Sequence, residues 1–448
     1  MMNRVKSNLI LIFIFMVIVV LAACSNSPTS KTESPQDQEP DKKNIVTEVW
    51  DENGEEVTVK VLYPWGEDAF QQFIVGTYKD ALPKNITLEC VCVGAQLEPL
   101  QEMNAKGIIP DMMFANWGID DLDELEMLEP VDEYVEKYGV DLSEFNQSVI
   151  ATYRAMDPEG KDRLIGMPTF VDSVGLFYNK DVFDLFGVPY PDPEKPMTWK
   201  ELLDLATKLT GERNGVQYRG LEMGLGFTSF EATFPLKEFG INLTDPKTGE
   251  VLITESPEVK QYLELMQKFY NIPGLYDPAP EARETDKFAQ KTVAMTVSWP
   301  GYYRWGLGEE PEESTMIDSA PVPVWEGEGK GPQAYAHPYV LNKFSENKDA
   351  AFQVMLAISK VDSMDPLTSP NSEFSDSSEY FPIYEGKNLQ PFFNYESAMP
   401  PKQVSKWDNY VDIPGSLNKL AEGDSDINEF LRVLKEESEI KIKDAMAK

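Results

Sequence analysis

Histidine is almost missing from this chain: its 448 residues hold one, His337. A histidine-based metal centre lacks its ligands, and a Ser–His or Cys–His nucleophilic pair could be built only on that residue. It stands before Pro338 in AYAHPYV, where a hydrogen-bonded turn histidine is the plainer reading. Positive charge is scarce too, with 40 Lys and Arg against 76 Asp and Glu and a net charge of −36. Nucleic acid and anionic headgroups both demand clustered Lys and Arg, so neither suits this chain as a partner. Its acidity means solubility. A Gly-x-Ser-x-Gly elbow and a Walker loop are absent, and Gly224-Leu-Gly226 lacks the third glycine of a dinucleotide site. Glycoside hydrolysis needs only two carboxylates, so that class stays open.

Long apolar runs are equally rare. The one candidate, Leu9–Ala23, is fifteen residues, short of the ~20 that span a bilayer. Arg4 and Lys6 precede it and small residues end it, which is the pattern of a secretory signal over 1–23. Leu21-Ala22-Ala23-Cys24 resembles the lipobox of bacterial lipoproteins, which implies cleavage before Cys24 and its acylation; the alternative is an ordinary secretory cut. Multiple acyl chains give lasting membrane attachment. Loss of 1–23 removes two positive charges, so −36 becomes −38. The segment 24–44 that follows the cut carries no aliphatic or aromatic residue after its cysteine, cannot repay its chain entropy, and reads as a disordered tether whose ends lie roughly 25 Å apart.

The other two cysteines are Cys90 and Cys92, in NITLECVCVG. Strand alternation sets them side by side on one face, a poor geometry for a bond between them, so two buried structural thiols are expected and no metal.

What remains, 45–448, exceeds what one hydrophobic core usually serves, so two lobes are expected. Val57, Val59, Val61 and Tyr63 alternate with other residues after an Asn53-Gly54 turn and stop at Pro64-Trp65-Gly66; a helix and a second strand, 86–93, follow. In GIDDLDELEMLEPVDEYVEKYG, Leu122, Leu125, Leu128, Val131 and Val135 recur at helical spacing and turn the carboxylates to solvent. Thr198-Trp199-Lys200-Glu201 is a capping box, and Ser256-Pro257 and Ser345 open further helices. Strands RLIGMPTF, SVGLFYN, TVAMTVSW and APVPVW interleave, which is α/β patterning, and 361–380 reads as a surface loop.

Four blocks in order, GIIPDMMFANW with LEPVDEY, IGMPTFVDSVGLFYNKDVFDLFGVPYP with MTWKELLDLATKL, KFAQKTVAMTVSWPG, and NKDAAFQVMLAIS, resemble the extracellular solute-binding proteins of bacterial ABC importers, in the sugar-binding family that includes maltose-binding protein. The resemblance implies an α/β, two-lobed periplasmic-binding-protein fold of class II type with hinge-crossing strands. It divides the chain into 45–171 plus 298–335 and 172–297 plus 336–448, crossing near Val171-Asp172 and returning at Ala294-Met295. It implies a cleft carboxylate at Asp172, a ligand loop at Asn116 and Trp117, and stacking-ring positions at Phe227 and Phe230. Trp65 ends a strand, where ligands of open α/β sheets collect. In VSWPGYYRWG, Trp299, Tyr302, Tyr303 and Trp305 are candidate platforms for the C–H-rich faces of a sugar, and Arg304 a stacking group or carboxylate clamp. The function implied is capture of a carbohydrate, most naturally an oligosaccharide, and delivery to a permease and its ATPase by hinge closure. The expected protein is a monomer without cofactor or catalytic residue, lipid-anchored on the outer face of the cytoplasmic membrane. A lipid-anchored glycoside-active enzyme, or the same fold carrying iron between Tyr302 and Tyr303 or a polyamine, are the alternatives.

Overall fold

The computed structural model describes residues 50–115, 119–223, 231–276, 288–305, 307, 315–327, 329–333, 335–360, 384–393, 396–423 and 426–447. The first sheet begins with β1 (Val57–Leu62), β2 (Ile86–Val91), β3 (Met112–Phe114), β4 (Leu128–Glu129) and β5 (Met167–Asp172). A second, three-stranded sheet has β6 (Gly175–Asn179) at its centre. After it come the hairpin β7 (Gly211–Arg213) and β8 (Val216–Tyr218), the sheet's flanks β9 (Met295–Ser298) and β10 (Ile317–Pro321), and β11 (Tyr335–Asn342) back in the first sheet. The orders are β2-β1-β3-β11-β4, with β5 also on β11, and β10-β6-β9. β1 runs parallel to β2 and β3, whereas β11 is antiparallel to β3 and β5. β1, β2, β3 and β5 therefore point their carboxyl ends to one edge.

Period-two alternation builds the first core on both faces of its sheet. Val59, Val61, Tyr63, Met112, Phe114, Tyr339 and Leu341 turn to one side, against the helix Lys348–Lys360 through Phe352 and Met355. Leu62, Met113 and Val340 turn to the other, against Leu100, Met103 and Leu122. In the second sheet Leu176, Tyr178, Met295 and Val297 pack on the helices Trp199–Lys208, Pro257–Asn271 and Ile427–Met446, while Phe177 and Ile317 face the opposite side. Each fully buried side chain of this size is worth about 1.5–3 kcal/mol before the chain entropy is counted.

Strand pairing redraws the division of the chain. β5 closes in the first sheet at Asp172 and β6 opens in the second at Gly175. The apolar run around Ala294-Met295 is no return crossing, because β9 pairs β6 along Gly175–Tyr178. Tyr302, Tyr303, Leu307, Ile317, Ala320, Val322 and Trp325 also belong with the cores of the second sheet. The chain comes back to the first sheet only between Pro321 and Tyr335, and 336–360 stay there, contrary to the expected grouping of 298–335 and 336–448. Periodicity gives a strand its faces but not its partners, and this error is one of partners.

The acidic stretch after Ile119 departs from a single helix as well. It forms Asp120–Glu124, then β4, then Asp132–Lys137. Glu126 takes a left-handed conformation (φ 53°), the Met127 N–H bonds back to the Leu122 carbonyl at 2.9 Å, and Pro130 bars continuation. Thr198, by contrast, caps its helix in a full capping box with Glu201, and Ser256 accepts from the Val259 N–H.

Candidate functional site

Pro64 has no N–H to extend the ladder of β1, so the strand stops and the next residue is released from the sheet. That residue, Trp65, is 47% exposed, the largest exposed apolar side chain among the described residues. Its ring rests edge-on to Tyr63 (centroids 5.1 Å, 77°) and lies 5.3 Å from Phe114. Phe114 in turn stacks on His337 at 6.2 Å and 18°, and tilts on Tyr339 at 5.0 Å. Trp65 is thus the solvent end of an aromatic wall that leads into the first core. Burial pushes the Tyr63 phenol up to about 12 and raises that of Tyr339, so both stay neutral at any physiological pH.

Two neighbouring strand ends share this edge. β3 leads through Ala115, whose N–H donates to the Pro338 carbonyl at 3.0 Å, toward Asn116 and Trp117, which lie outside the described residues. β5 ends at Asp172, in register with Tyr335; the Asp172 side chain is likewise outside the description. Between β1 and β5 stand β3 and β11, so Trp65 and Asp172 are three strand spacings apart, roughly 14 Å.

The second sheet contributes from its own end. Gly175, three residues after Asp172, pairs with Ser298, the last residue of β9, so Trp299 emerges beside the start of β6. Trp299 is partly buried and edge-on to Tyr302 at 6.4 Å. Gly175 itself is fixed by close approach: a Cβ there would sit 2.6 Å from the Phe392 ring. Two strands of opposite sheets, joined by Ser173-Val174, thereby bring Trp65, Asp172 and Trp299 to the two sides of one joint.

Tyr302 and Tyr303 leave the site. They are 3% and 0% exposed, and both lie edge-on to Phe177, at 5.4 and 4.8 Å, while Tyr384 closes on Tyr303 at 5.8 Å. The cause is local. A helical turn, Tyr302–Trp305, folds back after Pro300-Gly301 with the Tyr302 N–H on the Trp299 carbonyl at 3.0 Å, which drives both phenols under β6. Burial raises the Tyr303 pKa, and both phenols pack among rings away from solvent, which does not favour an iron-binding tyrosinate pair there. Arg304 and Trp305 have their backbone in this turn and their side chains outside the description; Phe227 and Phe230 also lie outside the described residues.

Two features at this edge went unread in the sequence. Cys90 and Cys92 are joined in a disulfide, and neither is buried. β2 ends at Val91, and the Val93 N–H donates to the Val91 carbonyl at 2.9 Å, a γ-turn centred on Cys92. The Cα atoms of Cys90 and Cys92 are 5.3 Å apart, shorter than the ~6.6 Å of i and i+2 in a strand and inside the range that a disulfide spans. Glu67 stands next to the pair. A strap at 403–409 is the second feature. It donates to the first lobe from Val404 N–H to the Ala155 carbonyl (2.7 Å), Gln403 Nε2 to the Pro158 carbonyl (3.1 Å) and Asn409 Nδ2 to Asp120 (2.7 Å). On the other side it accepts from Asn242, Leu243 and Thr244 of the second lobe.

Two α/β halves, crossing segments between them and an exposed aromatic edge at the joint define a solute-binding protein of the hinged, two-lobed kind. The chain belongs to the bacterial extracellular solute-binding protein family, whose model matches residues 103–355, more than half of it. It is similar to a Deinococcus radiodurans protein named "Probable ABC transporter-binding protein", 28% identical over 207 residues, 42% of this chain and 46% of the other. A Brucella abortus binding protein is 24% identical over 245 residues, 53% of this chain and 55% of its own. The chain thus spans about half the length of the curated relatives it matches. Among solved structures, the sugar-binding protein MalE of Xanthomonas citri superposes with a TM-score of 0.68 at 19% identity, over 87% of this chain and 99% of the other. An ABC substrate-binding protein of Listeria monocytogenes in complex with cycloalternan gives 0.61 at 19%, over 87% and 99%. These likenesses show the fold.

Proposed function

We propose that the protein captures an oligosaccharide outside the cytoplasmic membrane and presents it, by closure of its two lobes, to the permease and ATPase of an ABC importer. The observation that carries this reading is Trp65, an indole left in solvent on a neutral aromatic wall at the joint of two sheets. Such a face suits the C–H side of a sugar ring, whose hydroxyls call for amide and carboxylate partners. Asn116, Trp117 and Asp172 are the first-lobe contacts of this proposal, and Trp299 the second-lobe platform. A spacing of roughly 14 Å between Trp65 and Asp172 is wider than one sugar ring, which favours an oligosaccharide. Family membership, and the sugar-binding MalE and cycloalternan-bound proteins on which the chain superposes, support the same class.

The chain acts as a carrier in this reading, with no catalytic residue assigned. Cys24 is the proposed lipid anchor, holding a monomer on the outer face of the membrane; no described helix is long and apolar enough to cross one. Native mass spectrometry of freshly purified protein, followed by thermal-shift screening of plant, fungal and bacterial glycans, tests the function. A retained or stabilising oligosaccharide that is recovered intact is expected. Silence across the panel overturns the sugar, and recovery of shortened products overturns the carrier.

A further inference from the structure

The Cys90–Cys92 bridge has little of a structural staple about it. Its ring contains one intervening residue, so it removes little freedom from the unfolded chain, where most of a disulfide's stabilisation arises and where the effect grows with loop length. Cys92 is exposed and Cys90 half-buried, so an external thiol reaches sulfur without unfolding the sheet. A second chain segment meets the pair. Glu67, two residues beyond Trp65 in the helix Gly66–Phe70, puts Oε2 3.6 Å from the Cys92 sulfur, and one ligand atom from each of the three residues lies within 4.8 Å of the others. Among the described residues this is the one place where Cys, Asp, Glu or His side chains converge in that way.

We propose that the Cys90–Cys92 pair, when reduced, forms with Glu67 a zinc(II) site on the rim of the joint. A dithiol gives two electrons and two protons to the S–S bond, becomes a disulfide itself, and leaves two protein thiols. Zinc then displaces both protons, making two Zn–S bonds and one Zn–O bond, with water in the fourth position. Two thiolates select a borderline-soft ion over calcium or magnesium, which take oxygen donors. The oxidised pair has no thiolate to offer, so metal binding and the disulfide exclude one another. The site would pin Glu67 to the end of β2, where the Tyr63 N–H already donates to the Val91 carbonyl at 3.1 Å, and so stiffen the turn that carries Trp65.

The test uses the full chain, reduced with a phosphine, desalted under anaerobic conditions and titrated with zinc against a chromophoric chelator. A Cys90→Ser/Cys92→Ser variant that keeps Cys24 reports any metal held elsewhere. The site predicts one additional zinc per reduced wild-type chain, none in the oxidised chain, and about tenfold weaker binding in Glu67→Gln. Cobalt in place of zinc should add a near-ultraviolet thiolate charge-transfer band that the double variant lacks. The proposal is overturned if the bridge resists the phosphine, if reduced wild type holds no more zinc than the double variant, or if Glu67→Gln binds as tightly as wild type. Should the double variant fail to fold, oxidised wild type serves as the comparator, and equal zinc in both redox forms overturns the proposal.

Discussion

Trp65 and Tyr303 are both large rings placed just after a strand, yet they have opposite energetic roles. Trp65 leaves nearly half its surface in water, so removing it costs little packing. Trp65→Ala should weaken glycan binding ten- to a hundredfold, about 1.5–3 kcal/mol, while the melting temperature barely moves. Tyr303 has no solvent face, and Tyr303→Ala should cost about 3–5 kcal/mol in urea unfolding whether or not a ligand is present. Calorimetric titration and denaturant unfolding of the two variants separate the roles. Nothing in VSWPGYYRWG marks Tyr303 as buried, because a ring that follows a strand looks alike in sequence whether it turns inward or outward. The inward turn of Tyr303 depends on Phe177 and on Tyr384, each about eighty residues or more away. Trp65 was legible because Pro64 and Gly66 isolate it locally.

At the scale of elements, local signals read well and pairing did not. Thr198 and Glu201 stand three residues apart and cap the helix Trp199–Lys208 as their types imply. β9 was expected to cross to the first lobe, but an apolar strand carries no mark of its neighbour, and β6 takes it. The disulfide was missed for the related reason that alternation was carried one residue past the end of β2. Packing between elements also explains Gly220, which lies against the helix Trp199–Lys208 so closely that a Cβ would collide with the backbone of Ala206. Backbone cannot swing aside as a side chain does. Gly220→Ala should therefore destabilise by about 1–3 kcal/mol or more, read as a lower urea midpoint at unchanged slope.

For the whole molecule, the strap at 403–409 sets a pH dependence. Asp408 accepts from the Leu243 N–H and the Thr244 hydroxyl, yet burial outweighs these bonds and pushes its carboxyl up to about 6. In the unfolded chain an aspartate titrates near 3.9. Below about pH 4 both states hold the proton and the group favours neither. Between pH 4 and 6 only the folded state keeps it, so folded stability falls as pH rises through that window, by up to roughly 3 kcal/mol, and is level above it. The stability of wild type minus that of Asp408→Asn, from urea unfolding at several pH values, should decline from pH 4 to 6 and then flatten. A flat difference throughout would show that the carboxyl titrates as if in water.

Capture at the joint makes one demand that packing alone does not: a bound sugar must touch both lobes, since a ligand favours closure only through contacts that the open form lacks. Hydrogen-exchange mass spectrometry with and without the identified glycan reads this directly. Slower exchange is predicted together in three peptides, covering 63–67 at the end of β1, 172–176 across the Asp172–Gly175 link, and 298–302 after β9. Protection confined to one lobe, or absent from all three while the glycan is demonstrably bound, would contradict the account.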